Sequence, residues 1–271
     1  MNNQKLTLKR LAYHAGEAAK EAGEILLYFF KKEEPIDYKS PGNPVTEADR
    51  ASERFLAEAL KKIAPDAAFY GEEFGMQYGG GDPLQGECWV VDPLDGTANY
   101  SAGVPIFSIS IALMRDGAPI LGVIYDPTRD DLFKAFQGGP CLQNDSPCRV
   151  SARPPFRGIS PSAVSADIIR ARPPFLSSLS KGRSLGSAAL QMAYIAAGGL
   201  DLAIDSRTRL WDAAAGSVLI ESAGGSVTAW DGSPLFPLKS AEAFEGAPFP
   251  FLATNGVDHE AAVRRAGSEL S

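Results

Sequence analysis

Asp92 and Asp95 stand three residues apart in the stretch Trp89-Val-Val-Asp-Pro-Leu-Asp-Gly-Thr97, with Pro93 between them. Proline fixes its own φ and pushes the residue before it towards an extended shape, so the two carboxylates are expected in a stiff bend. That bend follows a short apolar strand, Cys88 to Val91. The carbonyl of Leu94 lies in it, where no regular ladder need claim it. Gly96 and Thr97 then open a short helix, and the first N–H groups of a helix have no intrahelical acceptor. Hard oxygen ligands beside free amide donors suit a divalent cation and a phosphate together. The same residue types also make an ordinary polar corner between strand and helix. Both readings stay open on this stretch alone.

Three more acids sit at the ends of expected elements. Glu72 follows a strand from Ala67 to Tyr70, in Gly71-Glu72-Glu73, where adjacent acids also read as a solvated turn. Asp49 comes three residues after Thr46 at a helix start, the spacing of an N-terminal capping pair. Asp212 stands where an N-cap belongs, ahead of a helix from Ala213 to Ala223. Capping accounts for Asp49 and Asp212 taken singly. No one structural role explains Glu72, Asp92, Asp95 and Asp212 as a set.

Composition narrows the chemistry. The chain has 271 residues, 45% hydrophobic and 22% charged, which is ordinary for a soluble globular protein of one domain or two packed halves. Its net charge is −7 and it has no basic run, so nucleic acid is not an expected partner. An acidic chain that handles an anionic phosphate needs metal ions to invert the local field. Cys88, Cys141 and Cys148 form no Cys-x-x-Cys pair and are odd in number, which favours unpaired thiols in a reducing compartment. Cys141 and Cys148 could nevertheless be bridged. The two histidines, His14 and His259, lie in helical patterns near the ends, which argues against histidine catalysis or a His-rich zinc site. The N-terminal residues lack the apolar core of a signal peptide, and no run approaches the ~18 apolar residues of a spanning helix. A cytoplasmic protein with no membrane partner is the expectation.

Elements must then bring the acids together. Leu8, Leu11, Ala15, Ala18, Ala22, Ile25, Leu26 and Phe29 fall at helical spacing and predict a core-packed helix over 7–32. Glu33 to Pro44 reads as a loop or weak hairpin. The helix that Thr46 opens has Phe55, Leu56, Ala59 and Ile63 as its apolar face and stops at Pro65. Met76 to Gly86 is Gly-rich and reads as a flexible loop. Ile106 to Leu113, Ile120 to Tyr125 and Leu132 to Phe136 make an antiparallel meander that turns at Arg115-Asp116-Gly117. Residues 144–181 are rich in Pro and Ser, with a weak strand at 162–165 and a helical stretch over 166–179 cut by Pro173 and Pro174. A composition change near 145 marks the expected boundary between two halves, 1–145 and 146–271. Gly186-Ser187-Ala188 opens a small-residue helix to Ala197, and Leu200 to Ile204 is a strand followed by Asp205. Val227 to Ala229 and Phe251 to Thr254 are further strands, and a last helix starts near Asp258.

Over nearly its whole length the sequence resembles the inositol monophosphatase family of metal-dependent, lithium-sensitive phosphatases. The likeness rests on Val45-Thr46-x-x-Asp49, Gly71-Glu72-Glu73, Asp92-Pro-Leu-Asp-Gly-Thr97, Gly186-Ser187-Ala188, Trp211-Asp212-x-Ala-Ala-Gly216 and Glu221-x-x-Gly224-Gly225. It implies a layered αβαβα sandwich of mixed α+β and α/β character, of the sugar-phosphatase type. It implies two to three Mg²⁺ ions held by Glu72, Asp92, the Leu94 carbonyl, Asp95 and Asp212, most of them in the N-terminal half. One ion, on Glu72 and Asp92, would lower the pKa of a bound water that Thr97 and Glu72 orient. Another, between Asp92, Asp95 and Asp212, would steady the leaving alkoxide. The N–H groups of Gly96 and Thr97 would hold phosphate oxygens, and Asp49 and Lys39 match positions beside a third, weaker ion.

The expected substrate is a small phosphorylated polyol, myo-inositol monophosphate first. Gly186, Ser187 and Ala188 match the sugar-contacting segment. Asp205 stands seven residues before Asp212, where inositol phosphatases often carry Glu. Relatives acting on nucleotide 3′-phosphates or histidinol phosphate often have Lys after Asp-Gly-Thr, whereas this chain has Ala98-Asn99-Tyr100. The rim formed by 144–181 is shorter than in animal inositol phosphatases. Fructose 1,6-bisphosphate, histidinol phosphate and adenosine 3′,5′-bisphosphate remain alternative substrates, and a non-catalytic metal-binding regulator is a third reading. A homodimer is expected.

Overall fold

The computed structural model describes residues 7–30, 37–40, 43–79, 82–171, 177 and 179–270, of which 37–40, 43–45, 171 and 268–270 are described by their backbone alone. The chain opens with α1 (Leu8–Phe30), the strand pair β1 (Asp37–Ser40) and β2 (Asn43–Val45), and α2 (Glu47–Ile63). The first large sheet takes β3 (Ala68–Gly71), β4 (Gly75–Tyr78), β5 (Glu87–Asp95), β6 (Ser108–Arg115), β7 (Ala118–Asp126), β8 (Asp131–Phe136), β9 (Leu142–Gln143) and β10 (Ser146–Pro147), with α3 (Thr97–Ser101) after β5. The rest comprises β11 (Pro161–Val164), α4 (Ala166–Ala171), β12 (Lys181–Arg183), α5 (Ala188–Ala196), β13 (Leu202–Asp205), α6 (Leu210–Ser222), β14 (Ser226–Thr228), a 3-10 turn (Ala241–Glu245), β15 (Phe251–Thr254) and α7 (His259–Leu270).

The eight-stranded sheet has the order β10-β9-β8-β7-β6-β5-β3-β4, and the five-stranded sheet the order β12-β11-β13-β15-β14. In the first, only β3 and β5 pair in parallel; in the second, β11 is parallel to both β12 and β13. Side chains alternate between the faces of a strand, and that alternation sorts the core into layers. On β5, Trp89 and Val91 pack with α1 and α2, while Cys88 and Val90 face α5 and α6. On β13, Ala203 joins the α5 and α6 layer, while Leu202 and Ile204 pack with Ile168 of α4 and Ala262 and Ala266 of α7. The order of layers is thus helix, sheet, helix, sheet, helix, the αβαβα sandwich that the family resemblance implies. No helix among the described residues is long and apolar enough to cross a membrane.

The middle helical layer explains the small residues of the Trp-Asp-x-Ala-Ala-Gly block. A helix buried between two sheets is apolar all round, and Ala213, Ala214 and Ala215 are each 0% exposed. A Cβ on Gly122 of β7 would sit 2.3 Å from the Ala215 carbonyl oxygen. The absence of that atom lets α6 lie directly on the sheet.

Several elements differ from the sequence-based expectation. The most buried stripe of α2 runs through Asp49, Ser52, Glu53, Leu56 and Leu60; of the expected apolar face Leu56 is fully buried, and Phe55, Ala59 and Ile63 pack on the same core only partly buried. Part of the expected Met76 loop is the edge strand β4, which pairs with β3. The helical stretch expected from Ala166, cut by Pro173 and Pro174, is helical over Ala166–Ala171, while residues 172–176 and 178 lie outside the described residues. The two-residue strands β9 and β10 and the exposed β12 carry too little apolar pattern to be read locally; their neighbours supply the pairing.

Gly122→Ala should force α6 off β7 and lower stability by about 1–3 kcal/mol, the usual cost of overpacking a core. Urea denaturation should show an earlier midpoint at unchanged m. An unmoved midpoint would mean that the helix can shift at no cost.

Candidate functional site

The bend at Pro93 is a bulge inside β5, not a turn after it. Asp92 pairs with Ser110 of β6 and Asp95 with Ser108, so four residues of β5 span three of its partner. Pro93 has no N–H to lose there. The Leu94 N–H donates to Asp92 Oδ1 at 2.9 Å, and the Leu94 carbonyl accepts from Thr97 Oγ1 at 3.0 Å. The bulge re-aims both acids.

Two further elements bring their acids to Asp92. Glu72 follows β3, and its N–H donates to the Val91 carbonyl at 3.1 Å, which extends the β3–β5 pairing by one step. Asp212 lies in the first turn of α6, and that helix start is tied to the sheet by Ser110, whose hydroxyl donates to the Trp211 carbonyl at 2.8 Å. Oxygens of Glu72, Asp92 and Asp212 lie within 4.8 Å of one another. Asp212 is not the N-cap expected from the sequence: the helix starts at Leu210 with Arg209 as N-cap, and Asp212 closes a capping box through Oδ2, which accepts the Arg209 N–H at 2.7 Å. The residue thus serves both its helix start and the acid cluster.

Asp95 and Asp205 stand outside this three-acid group among the described residues. Asp95 is turned to the start of α5, where Oδ2 accepts the Ser187 hydroxyl and the Ala189 N–H at 2.8 Å, and Oδ1 accepts the Ala188 N–H at 3.2 Å. The Ser108 hydroxyl adds a longer contact to Asp95 at 3.4 Å. Ser187 and Ala188, expected to touch substrate, thus position Asp95. The neighbouring Gly186 lies against the Asn99 side chain, whose Nδ2 donates to the Leu185 and Ile106 carbonyls, each at 2.8 Å. Asp205 ends β13 and accepts the Arg207 N–H at 3.0 Å. Gly96 and Thr97 present their N–H groups at the start of α3. Lys39 falls in β1, and its side chain lies outside the described residues.

Asp49 likewise has both roles weighed for it. Oδ2 accepts from the Thr46 N–H at 2.8 Å and its hydroxyl at 2.6 Å, which completes a capping box. Oδ1 lies 3.2 Å from Thr97 Oγ1. A single hydroxyl hydrogen on Thr97 therefore chooses between Asp49 and the Leu94 carbonyl.

The same helix holds two residues that the sequence reading passed over. The Ser52 hydroxyl donates to the Pro93 carbonyl at 3.1 Å. Glu53, 0% exposed, accepts the N–H groups of Glu73 at 2.7 Å and Phe74 at 3.0 Å and the Gln77 amide at 2.8 Å. A Cβ on Gly71 would lie 2.3 Å from the Glu53 carboxyl, so glycine before Glu72 makes room for this clamp. Asp49, Ser52 and Glu53 follow helical i, i+3, i+4 spacing towards the buried Leu56. Polar residues in that stripe were the available signal.

Burial comes first in the electrostatics. It pushes the Asp92 and Asp212 carboxyls well above the usual carboxylate range, and the charges of Glu72 and Asp95 push both the same way. Burial raises Asp95 to about 6 against the pull of its Ser187, Ala189 and Ala188 hydrogen bonds. Asp205 is also raised to about 6 by burial, against the Arg207 N–H. Converging carboxylates, that of Asp92 buried and those of Glu72 and Asp212 half-buried, call for a cation, and an all-oxygen donor set suits Mg²⁺.

Comparison with known proteins agrees with this geometry. The model of the inositol monophosphatase family matches residues 7–263. The inositol-1-monophosphatase of Mesorhizobium japonicum is 37% identical over 229 residues, 80% of this chain and 84% of that protein. The Nus factor SuhB of Xylella fastidiosa is 35% identical over 227 residues, 80% of this chain and 81% of its own. Among solved structures, the Thermotoga maritima IMPase superposes with a TM-score of 0.82 at 29% identity, covering 97% of this chain and 98% of that one. The extragenic suppressor protein suhB of Bartonella henselae gives 0.81 at 31% identity, covering 92% and 95%.

Glu53→Ala should strand two backbone donors and free the turn that carries Glu72. Stability should fall by about 2 kcal/mol, and calorimetric Mg²⁺ or Mn²⁺ affinity should fall by about tenfold or more, as for other residues that orient metal ligands. Unchanged affinity in a folded variant would sever Glu53 from Glu72.

The raised carboxyls also give stability a pH dependence. Each binds its proton more tightly in the folded protein than in the unfolded chain. Their stabilisation is therefore complete below the ordinary carboxylate value of 3.8 and is lost as pH rises through the folded values, about 6 for Asp95 and Asp205. Metal-free protein should lose melting temperature over that rise, and Mg²⁺ should restore more of it near pH 8 than near pH 5. A pH-independent Mg²⁺ effect would contradict the assignment.

Proposed function

The chain belongs to the inositol monophosphatase family, whose members are metal-dependent phosphatases, and from that premise we propose that it hydrolyses myo-inositol monophosphate to inositol and phosphate with Mg²⁺. The observation that carries the reading is the convergence of Glu72, Asp92 and Asp212, from three separate elements, to within 4.8 Å. Mg²⁺ bound there would supply a water of lowered pKa and offset the negative charge of the ester.

The residues of the chain supply the rest. Glu72, Asp92 and Asp212 would hold the cation, with the Leu94 carbonyl and Asp95 as further oxygen ligands. Asp95 is positioned by its hydrogen bonds to the start of α5. Thr97 orients the attacking water. When its hydroxyl hydrogen points to Asp49, 3.2 Å away, its lone pairs are open to accept a hydrogen bond from that water. Glu72 would help to orient the same water. The N–H groups of Gly96 and Thr97 receive phosphate oxygens. Phosphoryl transfer asks mainly for positioning and charge neutralisation, so no side-chain nucleophile is needed. Asp205 accepts a ring hydroxyl, and the segment Gly186 to Ala188 contacts the sugar. Lithium sensitivity, a cytoplasmic location and a homodimer belong to the same reading.

A buried acceptor left without its hydroxyl discriminates strongly against the poorer substrate. Asp205→Ala should therefore reduce kcat/KM on inositol 1-phosphate by about 100-fold while sparing p-nitrophenyl phosphate, and Asp205→Glu should be mild. The panel adds fructose 1,6-bisphosphate, histidinol phosphate and adenosine 3′,5′-bisphosphate, each with Mg²⁺ and with EDTA. A tenfold preference for one of these moves the assignment to that ester. Turnover that survives EDTA overturns the metal mechanism. Metal binding without turnover of any ester would favour a non-catalytic role, the reading that the SuhB-named relatives bring into view.

A further inference from the structure

Cys141 and Cys148 flank the hairpin of β9 and β10, away from the acids. Asn144 and Asp145 join the two strands with φ of 47° and 64°, the left-handed pair of a type I′ turn. That turn sets Gln143 opposite Ser146 and Leu142 opposite Pro147. The next pair outward is Cys141 and Cys148. Their backbones meet, the Cys148 N–H donating to the Cys141 carbonyl at 3.0 Å, and their Sγ atoms are 3.1 Å apart.

The surroundings hold this pair in place. Asn144 exchanges bonds with Leu132, its N–H donating to the carbonyl at 2.9 Å and its Oδ1 accepting the N–H at 2.8 Å. Asn144 Nδ2 donates to Asp131 at 2.9 Å, and Asp145 pairs with Lys134 Nζ at 2.6 Å. A hydrogen-bonded antiparallel pair has its Cα atoms about 5.5 Å apart, inside the range of about 4.4–6.8 Å that a disulfide spans. Closing a bond of about 2.05 Å needs about 1 Å of sulfur travel, which side-chain rotation can provide.

We infer that Cys141 and Cys148 form a reversible oxidation site, a dithiol that closes to an intramolecular disulfide when it meets hydrogen peroxide. The roles of the two sulfurs differ. Cys148 is partly exposed and its thiol is pulled down by its hydrogen bond to Cys141; Cys141 is buried and its thiol is pushed up. Cys148 is therefore the attacking thiolate and Cys141 the resolving thiol. The Cys148 thiolate attacks one peroxide oxygen, the O–O bond breaks, and a sulfenic acid forms; the released hydroxide takes a proton and leaves as water. Cys141 sulfur then attacks Cys148 sulfur, the S–O bond breaks, and a second water departs with the Cys141 proton. Two thiols lose two electrons and the peroxide is reduced to two waters. An added dithiol reverses the reaction by exchange.

Cys88 is the internal control. It is buried in β5 without a second thiol, and burial raises its own to about 12. Full-length protein would be treated with hydrogen peroxide, freed of oxidant and denatured for thiol counting and mass measurement. Of the three thiols one should remain, the mass should fall by about 2 Da, and digestion should yield a peptide joining Cys141 to Cys148. Dithiothreitol should restore all three thiols. Cys141→Ser should stop at a sulfenic acid on Cys148 that dimedone traps, whereas Cys88→Ser should still form the bridge. Survival of three thiols under conditions that oxidise free cysteine would overturn the inference, as would preferential loss of Cys88 or a bridge between two chains in place of the internal one.

Discussion

Like charges held close together in a buried place make up the constraint on which this structure turns. Carboxylate oxygens within 4.8 Å of one another, when charged, repel by about 3–4 kcal/mol or more per pair at an effective dielectric near 20. Left to itself a flexible loop would relax that repulsion by moving apart. Here each acid is fixed by its own element. Asp92 sits in a proline bulge, Glu72 at the end of a strand in parallel register with β5, and Asp212 in the first turn of a buried helix. The surrounding fold keeps them together, and burial first, then the neighbouring charges, raises the proton affinities of Asp92 and Asp212.

Helix α2 shows how the fold does so. Its buried face carries Asp49, Ser52 and Glu53 ahead of Leu56 and Leu60. The three polar residues reach different segments: Asp49 the Thr97 hydroxyl, Ser52 the Pro93 carbonyl, and Glu53 the turn after Glu72. One rigid element thus sets the mutual positions of the β3 turn, the β5 bulge and the start of α3. Below them, the helix anchors itself by apolar packing with α1 and the sheet. On the opposite face, α6 approaches the sheet closely because Gly122 offers no side chain to Ala215. That closeness is what lets Asp212 reach Asp92.

Several of these residues perform two tasks with one side chain. Asp212 closes a capping box at the start of α6 and completes the acid cluster, and Asp49 closes a capping box and meets Thr97. A carboxylate has two oxygens and about four acceptor positions, so local and long-range duties need not compete. Asp95 divides differently. Its oxygens are largely taken by the start of α5, so the segment from Ser187 to Ala189 controls how far that carboxylate is available to a cation.

Local pattern was enough for much of this molecule. The Asp-Pro-Leu-Asp-Gly-Thr stretch announces a stiff acidic bend before a helix, because proline restricts its neighbours whatever surrounds them. The meander from Ser108 to Phe136 and helices α1 and α6 follow from apolar periodicity and glycine stops. The short strands β4, β9, β10 and β12 left no such mark, since their pairing is supplied by strands beside them. Helix α2 was legible as a helix with an apolar face on the core, but not as one that also buries Asp49, Ser52 and Glu53. Periodicity marks an apolar stripe, but what is buried beside it depends on what packs there, and here polar residues are buried because partners wait at Pro93, Glu73 and Thr97. Which acids converge was likewise beyond sequence spacing. Asp95 lies in the same short bend as Asp92 yet turns to α5, while Asp212, more than a hundred residues away, joins Asp92. Side-chain chemistry is written in the residue types; distance between segments is set only when the layers pack.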